Sequence, residues 1–274
     1  MPPRRKLKAA VLSDLHLGSV GCHARELVHY LASIEPELLV LNGDIIDVWA
    51  FNKRYWPATH TQVLQQILQL MSRGTTVYYL TGNHDDVLRR YSDATLGCLH
   101  LADKLVLELD GKKYWFFHGD VFDLTMRNSR WLARLGSIGY DALILLNRSV
   151  NRLLQQLGQE RISLSKRIKN GVKRAVAYIS EFEKTAIALA LDQGYDYVVC
   201  GHIHQPEIKV IQTGRRTVVY LNSGDWVENL TALEYANGSW QLYTYPINGK
   251  KTPPLNEKQA VFAGNTVPTL LRHA

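Results

Sequence analysis

Residues 7–16 read Leu7-Lys8-Ala9-Ala10-Val11-Leu12-Ser13-Asp14-Leu15-His16. A short apolar run breaks off on a polar Asp-x-His. Its length and its polar boundary predict a buried first strand over residues 7–13. Four other runs end the same way. Gly43-Asp44, with Asp47 three residues on, follows a strand expected over 37–42. Gly82-Asn83-His84-Asp85 follows one over 76–81, His118-Gly119-Asp120 one over 113–118, and Gly201-His202-Ile203-His204 one over 197–200. Between the first three runs, 24–34 and 61–72 have helical periodicity, the second with Val63, Ile67, Leu68 and Met71 on one face. Strands alternating with helices imply parallel βαβ units. Open α/β sheets of that kind place ligands beyond the carboxyl ends of their strands.

Further along, Asp110-Gly111 separates 105–109 from 113–118 and signals a two-residue hairpin. Strands are expected over 207–212, 217–221, 231–235 and 240–245, with Thr213-Gly214 and Asn237-Gly238 at turns. Residues 123–192 read as a helical insertion between core segments 1–122 and 193–247. From 248 onward, Pro253-Pro254 and scattered polar residues suggest a loosely ordered tail to 274. With 46% hydrophobic residues among 274, the chain is expected to be globular rather than disordered. No stretch approaches the about 20 apolar residues of a membrane span, and the run at 9–12 is too short for a signal peptide. The three widely spaced cysteines, Cys22, Cys98 and Cys200, fit a reducing compartment. A cytoplasmic location is expected, at the inner face of the membrane if the basic segment described next meets lipid.

Charge is unevenly spread. From 124 to 180 there are eleven Lys and Arg against Asp141 and Glu160, a net +9; the whole chain is +7, so the remainder is −2. That asymmetry points to an anionic partner at this segment, such as phosphate or an acidic lipid surface. Aromatic residues are sparse there (Trp131, Tyr140, Tyr178), which disfavours nucleic acid.

Each strand-end motif alone is compatible with ordinary turn chemistry. Together they take five of the ten histidines, along with Asp14, Asp44 and Asn83. Imidazole, carboxylate and amide oxygens without cysteine suit Mn2+, with Fe or Zn2+ as alternatives, over Ca2+ or a structural zinc. Two cations about 3.5–4 Å apart need a bridge. Asp44, central in the motif order, is expected to supply it with its two carboxylate oxygens.

In this order, Asp-x-His, Gly-Asp-x-x-Asp, Gly-Asn-His-Asp, His-Gly-Asp and Gly-His-x-His resemble the calcineurin-like metallophosphoesterase superfamily. The match spans about residues 7–245. The resemblance implies an α/β fold, a four-layer αββα sandwich with two divalent metal ions at its strand ends. One metal would be held by Asp14, His16, Asp44 and His204, the other by Asp44, Asn83, His118 and His202. His84 would be catalytic, stabilising the transition state or protonating the leaving oxygen, and Asp47 would fix its tautomer. Asp85, Asp120 and Asp225 would orient ligand imidazoles.

The basic segment and Gly224-Asp225-Trp226 further resemble the UDP-2,3-diacylglucosamine hydrolases of lipid A synthesis. This implies cleavage of a UDP-sugar lipid to UMP and a lipid 1-phosphate, with peripheral membrane contact through the insert. Asn83, Lys166, Lys169 and Lys173 are the expected substrate contacts. One departure is that those hydrolases carry arginine where this chain has His84, which removes a bidentate grip on pyrophosphate. The alternatives are a phosphoesterase acting on nucleotides, other monoesters or diesters, or nucleic acid, and a non-catalytic scaffold. The complete motif set disfavours the scaffold.

Overall fold

The computed structural model describes residues 3–50, 55–124, 165–214, 216–246 and 258–261, by backbone alone at 123–124, 165–176 and 258–261. Successive side chains of a strand point to opposite faces, and β1 (Arg5–Leu12) buries both. Ala10 and Leu12 pack toward α1 (Ala24–Ser33) and α2 (Ala58–Ser72), whereas Val11 meets a second sheet. The first sheet runs β12 (Ser239–Thr244), β11 (Thr231–Ala236), β1, β2 (Ile34–Asn42), β3 (Thr76–Leu80), β5 (Leu99–Ala102), β4 (Thr95–Leu96). The second runs β13 (Lys258–Val261), β9 (Glu207–Thr213), β10 (Arg216–Asn222), β8 (Tyr197–Cys200), β7 (Lys112–Phe117), β6 (Lys104–Leu109).

Three apolar clusters define the layers. Between the sheets, Val11, Val40, Leu80 and Leu233 meet Tyr114, Phe116, Val199 and Leu221. Outside the first sheet, Leu27 and Leu31 of α1 and Val63, Ile67 and Leu70 of α2 cover Leu39 and Leu41. Outside the second, Phe182, Ala186, Ile187 and Ala190 of α3 (Ser165–Gln193) cover Phe117, Val198, Cys200 and Tyr220. Helix, sheet, sheet, helix is the expected αββα sandwich. On α2 the buried stripe is Val63, Ile67 and Leu70; Leu68, expected on that face, lies a step off it and is 59% exposed.

Parallel pairing sets the position of the site. Leu12 of β1 lies opposite Leu41 of β2, and Asn42 opposite Leu80 of β3. In the second sheet, β7 and β8 are parallel neighbours with Phe116 opposite Val199. All five motif-bearing strands therefore end at one rim. The hairpin turns form as expected, with positive φ at Asp110-Gly111 and Asn237-Gly238. The sequence pattern missed β4, β5 and the 3-10 turn Asp86–Tyr91, which are short and exposed or half-buried. In the 123–192 stretch the described helix is α3, and its second half is the outer layer of the second sheet. Within 248–274, β13 pairs with β9. Among the described residues, no helix is long and apolar enough to cross a membrane.

Asn42 ties the sheets together beneath the rim. Its buried Nδ2 donates to the backbone oxygens of Phe117 (3.1 Å) and Val199 (3.4 Å). Asn42→Ala removes both cross-sheet bonds and is expected to cost about 1–3 kcal/mol. A lower urea midpoint at unchanged slope is the readout; an unchanged midpoint would show that the tie contributes nothing.

Candidate metal centre

The rim gathers residues far apart in sequence. Asp14, His16 and His204 place ligand atoms within 4.8 Å of one another, as do Asp44, His118 and His202, and also His16, Asp44 and His84. The first sheet supplies Asp14, His16, Asp44, Asn83 and His84; the second supplies His118, His202 and His204. The cluster thus sits on the seam between the sheets.

The backbone there is strained. Asp14, His16, Asp44, His202 and His204 all have positive φ, between 50° and 69°. Asp and His tolerate this region better than most residues, yet each still costs about 1–3 kcal/mol. The buried clusters outweigh that strain, since one fully buried leucine or valine is worth about 1.5–3 kcal/mol. Two glycines make room. A Cβ on Gly82 would lie 2.2 Å from Asp44 Oδ1, and one on Gly43 would lie 2.4 Å from the His118 ring.

Asp44 is the hub. Its Oδ2 lies 3.3 Å from His118 Nε2, 3.9 Å from His16 Nε2 and 4.0 Å from His84 Nε2. Its Oδ1 accepts the backbone N–H of His84 at 2.8 Å. Thus Oδ2 faces both clusters, and Oδ1 also accepts from the backbone. His118 donates from Nδ1 to Asn42 O at 2.9 Å, which leaves Nε2 as the bare acceptor. His16 Nδ1 bonds to Asp47 Oδ2 at 3.1 Å, which leaves its Nε2 bare as well. Asp47 Oδ1 stands 2.9 Å from His84 Nδ1 without hydrogen-bond alignment, so one carboxylate bonds His16 and sets its charge beside His84.

Do these residues fit cations? Asp14 Oδ1, His16 Nε2, Asn83 Oδ1 and His118 Nε2 are buried with no hydrogen-bond partner among the described residues. His204 Nε2 is 3.1 Å from Asp14 Oδ1, yet the two are not aligned as donor and acceptor. Natural proteins rarely leave such atoms orphaned. Acceptors that crowd together without bonding one another fit a shared positive guest, and the donor set is that of a two-cation site.

The aspartates beside the motifs behave differently from expectation. Asp85 accepts from Gly82 N, Ile45 N and the Tyr79 hydroxyl, so it fixes loop backbone rather than an imidazole. Asp120 pairs with Arg89. Asp225 reaches His204 Nδ1 only at 3.8 Å and mainly caps the backbone of residues 227–229. Sequence reasoning missed Arg89 and also Trp49, whose ring lies 4.2 Å from that of His84. Lys166, Lys169 and Lys173 fall in the first turns of α3, where side chains lie outside the described residues.

A family model for the calcineurin-like phosphoesterases matches residues 7–206. The chain belongs to the calcineurin-like phosphoesterase family. It is a metal-dependent phosphoester hydrolase, and its clustered Asp and His side chains are candidate ligands for the family's divalent metals. The UDP-2,3-diacylglucosamine hydrolase of Stenotrophomonas maltophilia (strain K279a) is 25% identical over 242 residues, covering 85% of this chain and 96% of that protein. The protein of the same name from Aeromonas salmonicida (strain A449) is 26% identical over 246 residues, covering 84% and 91%. Among solved structures, an archaeal phosphodiesterase aligns with a TM-score of 0.41 at 12% identity, covering 86% of this chain and 98% of its own.

Protonation follows from the crowding in this calcineurin-like site. Burial raises Asp14, but His204 and His118 outweigh it and lower its pKa from 3.8 to about 2. Burial lowers His204, but Asp14 outweighs it and raises its pKa from 6.5 to about 9. The stabilisation from a raised His204 is complete below about 6.5 and fades as pH rises through about 9; that from a depressed Asp14 is complete above about 3.8 and fades as pH falls through about 2. If His204 is a ligand, as its place in the cluster suggests, a cation would need it deprotonated and loading would displace its proton. Adding Mn2+ to weakly buffered protein near pH 7 is expected to release protons, and apparent affinity should rise from about pH 7 to 9. A titration without proton release would contradict this assignment of His204.

Proposed function

We propose that this hydrolase cleaves the phosphoanhydride of a UDP-sugar lipid, UDP-2,3-diacylglucosamine, to UMP and a lipid 1-phosphate. The observation that carries the reading is the two-sided cluster around Asp44, combined with alignment to UDP-2,3-diacylglucosamine hydrolases over more than nine-tenths of their length. The net +9 of residues 124–180 supports an anionic substrate at a lipid surface. On this reading 123–192 is an inserted basic unit, Lys166, Lys169 and Lys173 meet the phosphates, and the enzyme works peripherally at the inner membrane face.

Asp14, His16, Asp44 and His204 would hold one cation; Asp44, Asn83, His118 and His202 would hold the other, with Mn2+ the favoured metal. When bound, such cations polarise the phosphoryl oxygens and bring the pKa of water toward about 7. The protein's own groups do the rest. Asn83 and the cluster orient the phosphoryl group. His84 presents Nε2 to the cluster and hands a proton to the leaving oxygen, and Asp47 at Nδ1 keeps that ring protonated. Burial lowers the pKa of His84, but Asp47 and Asp44 outweigh it and the net shift is upward, as a general acid near neutral pH requires. Trp49, packed against the same ring, limits its rotation.

The test is turnover of UDP-2,3-diacylglucosamine in mixed micelles with Mn2+, beside a simple aryl phosphodiester and with Asp44→Asn as the blank. Mn2+-dependent UMP release is expected, with His84→Ala lowering kcat by about 10^2–10^4. Good aryl ester cleavage with an inert lipid would reject the substrate and keep the site. Unchanged turnover by Asp44→Asn would reject the site.

A further inference from the structure

We infer that Arg89 is a positioning residue that braces the second ligand cluster and leaves the first alone; this rests on the two-cation reading above. Arg89 lies on the 3-10 turn just past Asn83-His84. Its Nη2 donates to Asp120 Oδ2 at 2.5 Å, and its Nε donates to Thr81 Oγ1 at 3.3 Å and lies 3.5 Å from Asp103 Oδ1. Thr81 Oγ1 in turn donates to Asp103 at 2.5 Å. One planar guanidinium thus joins three segments: the end of β3 that leads into Asn83, the turn between β5 and β6, and the loop after His118.

That loop needs a brace. Gly119, between His118 and Asp120, has φ +127°, so the chain there has little intrinsic preference for its path. A cleft of about 110 Å³, lined by Arg89, Phe117, His118, Gly119 and Val121, separates the loop from the 3-10 turn. Among the described residues no side chain fills that cleft, and the polar strap spans it. His118 is anchored on one side by Asn42 O, and Asp120–Arg89 is the anchor on the other. Asn83 and His118 both belong to the second cluster. The strap's bonds run to Thr81, Asp103 and Asp120 and not to Asp14, His16 or His204.

Selective weakening of one cation therefore distinguishes this role from a general one. Mn2+ binding to the full chain is followed by equilibrium dialysis and by the electron paramagnetic resonance of paired against isolated Mn2+. Wild type is expected to bind two. Arg89→Ala and the isosteric Asp120→Asn should each weaken one site about 10-fold, the low end for groups that hold a ligand. The other site should not change, and the double variant should be no worse than either single one. Asp120→Asn carries the test if Arg89→Ala fails to fold. Equal loss at both sites, or a fall in the thermal midpoint of the chelated protein that accounts for the loss, would overturn the inference. So would intact binding of both ions with a raised KM, which would make Arg89 a substrate contact. Fewer than two ions on wild type would instead reject the two-cation reading, and the brace with it.

Discussion

A carboxylate taken out of water is among the most expensive things a fold can hold, with an effective penalty of several kcal/mol even after relaxation. Asp44 is 2% exposed and sits where the two sheets meet. Three imidazole nitrogens stand within 4.0 Å of its Oδ2, and a backbone N–H pins its Oδ1. Burial pushes its pKa up, but the surrounding histidines outweigh burial and hold it well below the usual value. The rest of the rim follows from keeping this one charge buried. Glycine is required at position 82, β2 must turn into the left-handed region as it ends, and both sheets must present histidines to the same point.

The chemistry was legible from the sequence because each motif follows a strand directly, and parallel strands bring their ends to one rim. The motifs holding Asp14, His16, Asp44, His84, His118, His202 and His204 needed only that rule to be grouped, and the structure gathers these side chains; the place of Asn83 among the ligands is what the family resemblance implies. Partners that depend on how the sheets face one another were not legible. Nothing near Asn42 in sequence announces that it reaches Phe117 and Val199 across the seam. Asp120 looked like a companion of His118 because it is two residues away, but a guanidinium from another loop claims it. Leu68 failed for a smaller reason: three apolar residues at the right spacing define a stripe, and a fourth beside it had no place to pack.

Asp47 shows how economical the arrangement is. One of its oxygens bonds His16 Nδ1 and the other stands 2.9 Å from His84 Nδ1, and the two rings are proposed to do different work. For His16 the bond leaves a lone pair facing the cluster; for His84 the neighbouring charge favours a proton on the inward nitrogen. The ring of Trp49 and the edge of His16 enclose His84 further. On the proposed roles, ligand and acid would be coupled through this one residue and tuned together.

β7 and β8 lie side by side and parallel, although the chain makes a long excursion between Phe117 and Tyr197. The entropy of closing such an excursion grows only with the logarithm of its length. His118 is fixed by β7 and His202 by β8, so the distance between them is set by sheet pairing and not by what intervenes. Provided that the half of α3 covering the second sheet is kept, the part of the crossover before Phe182 can change in length while the rim stays in place. In a scaffold of this kind, selectivity is free to diversify without renegotiating the chemistry.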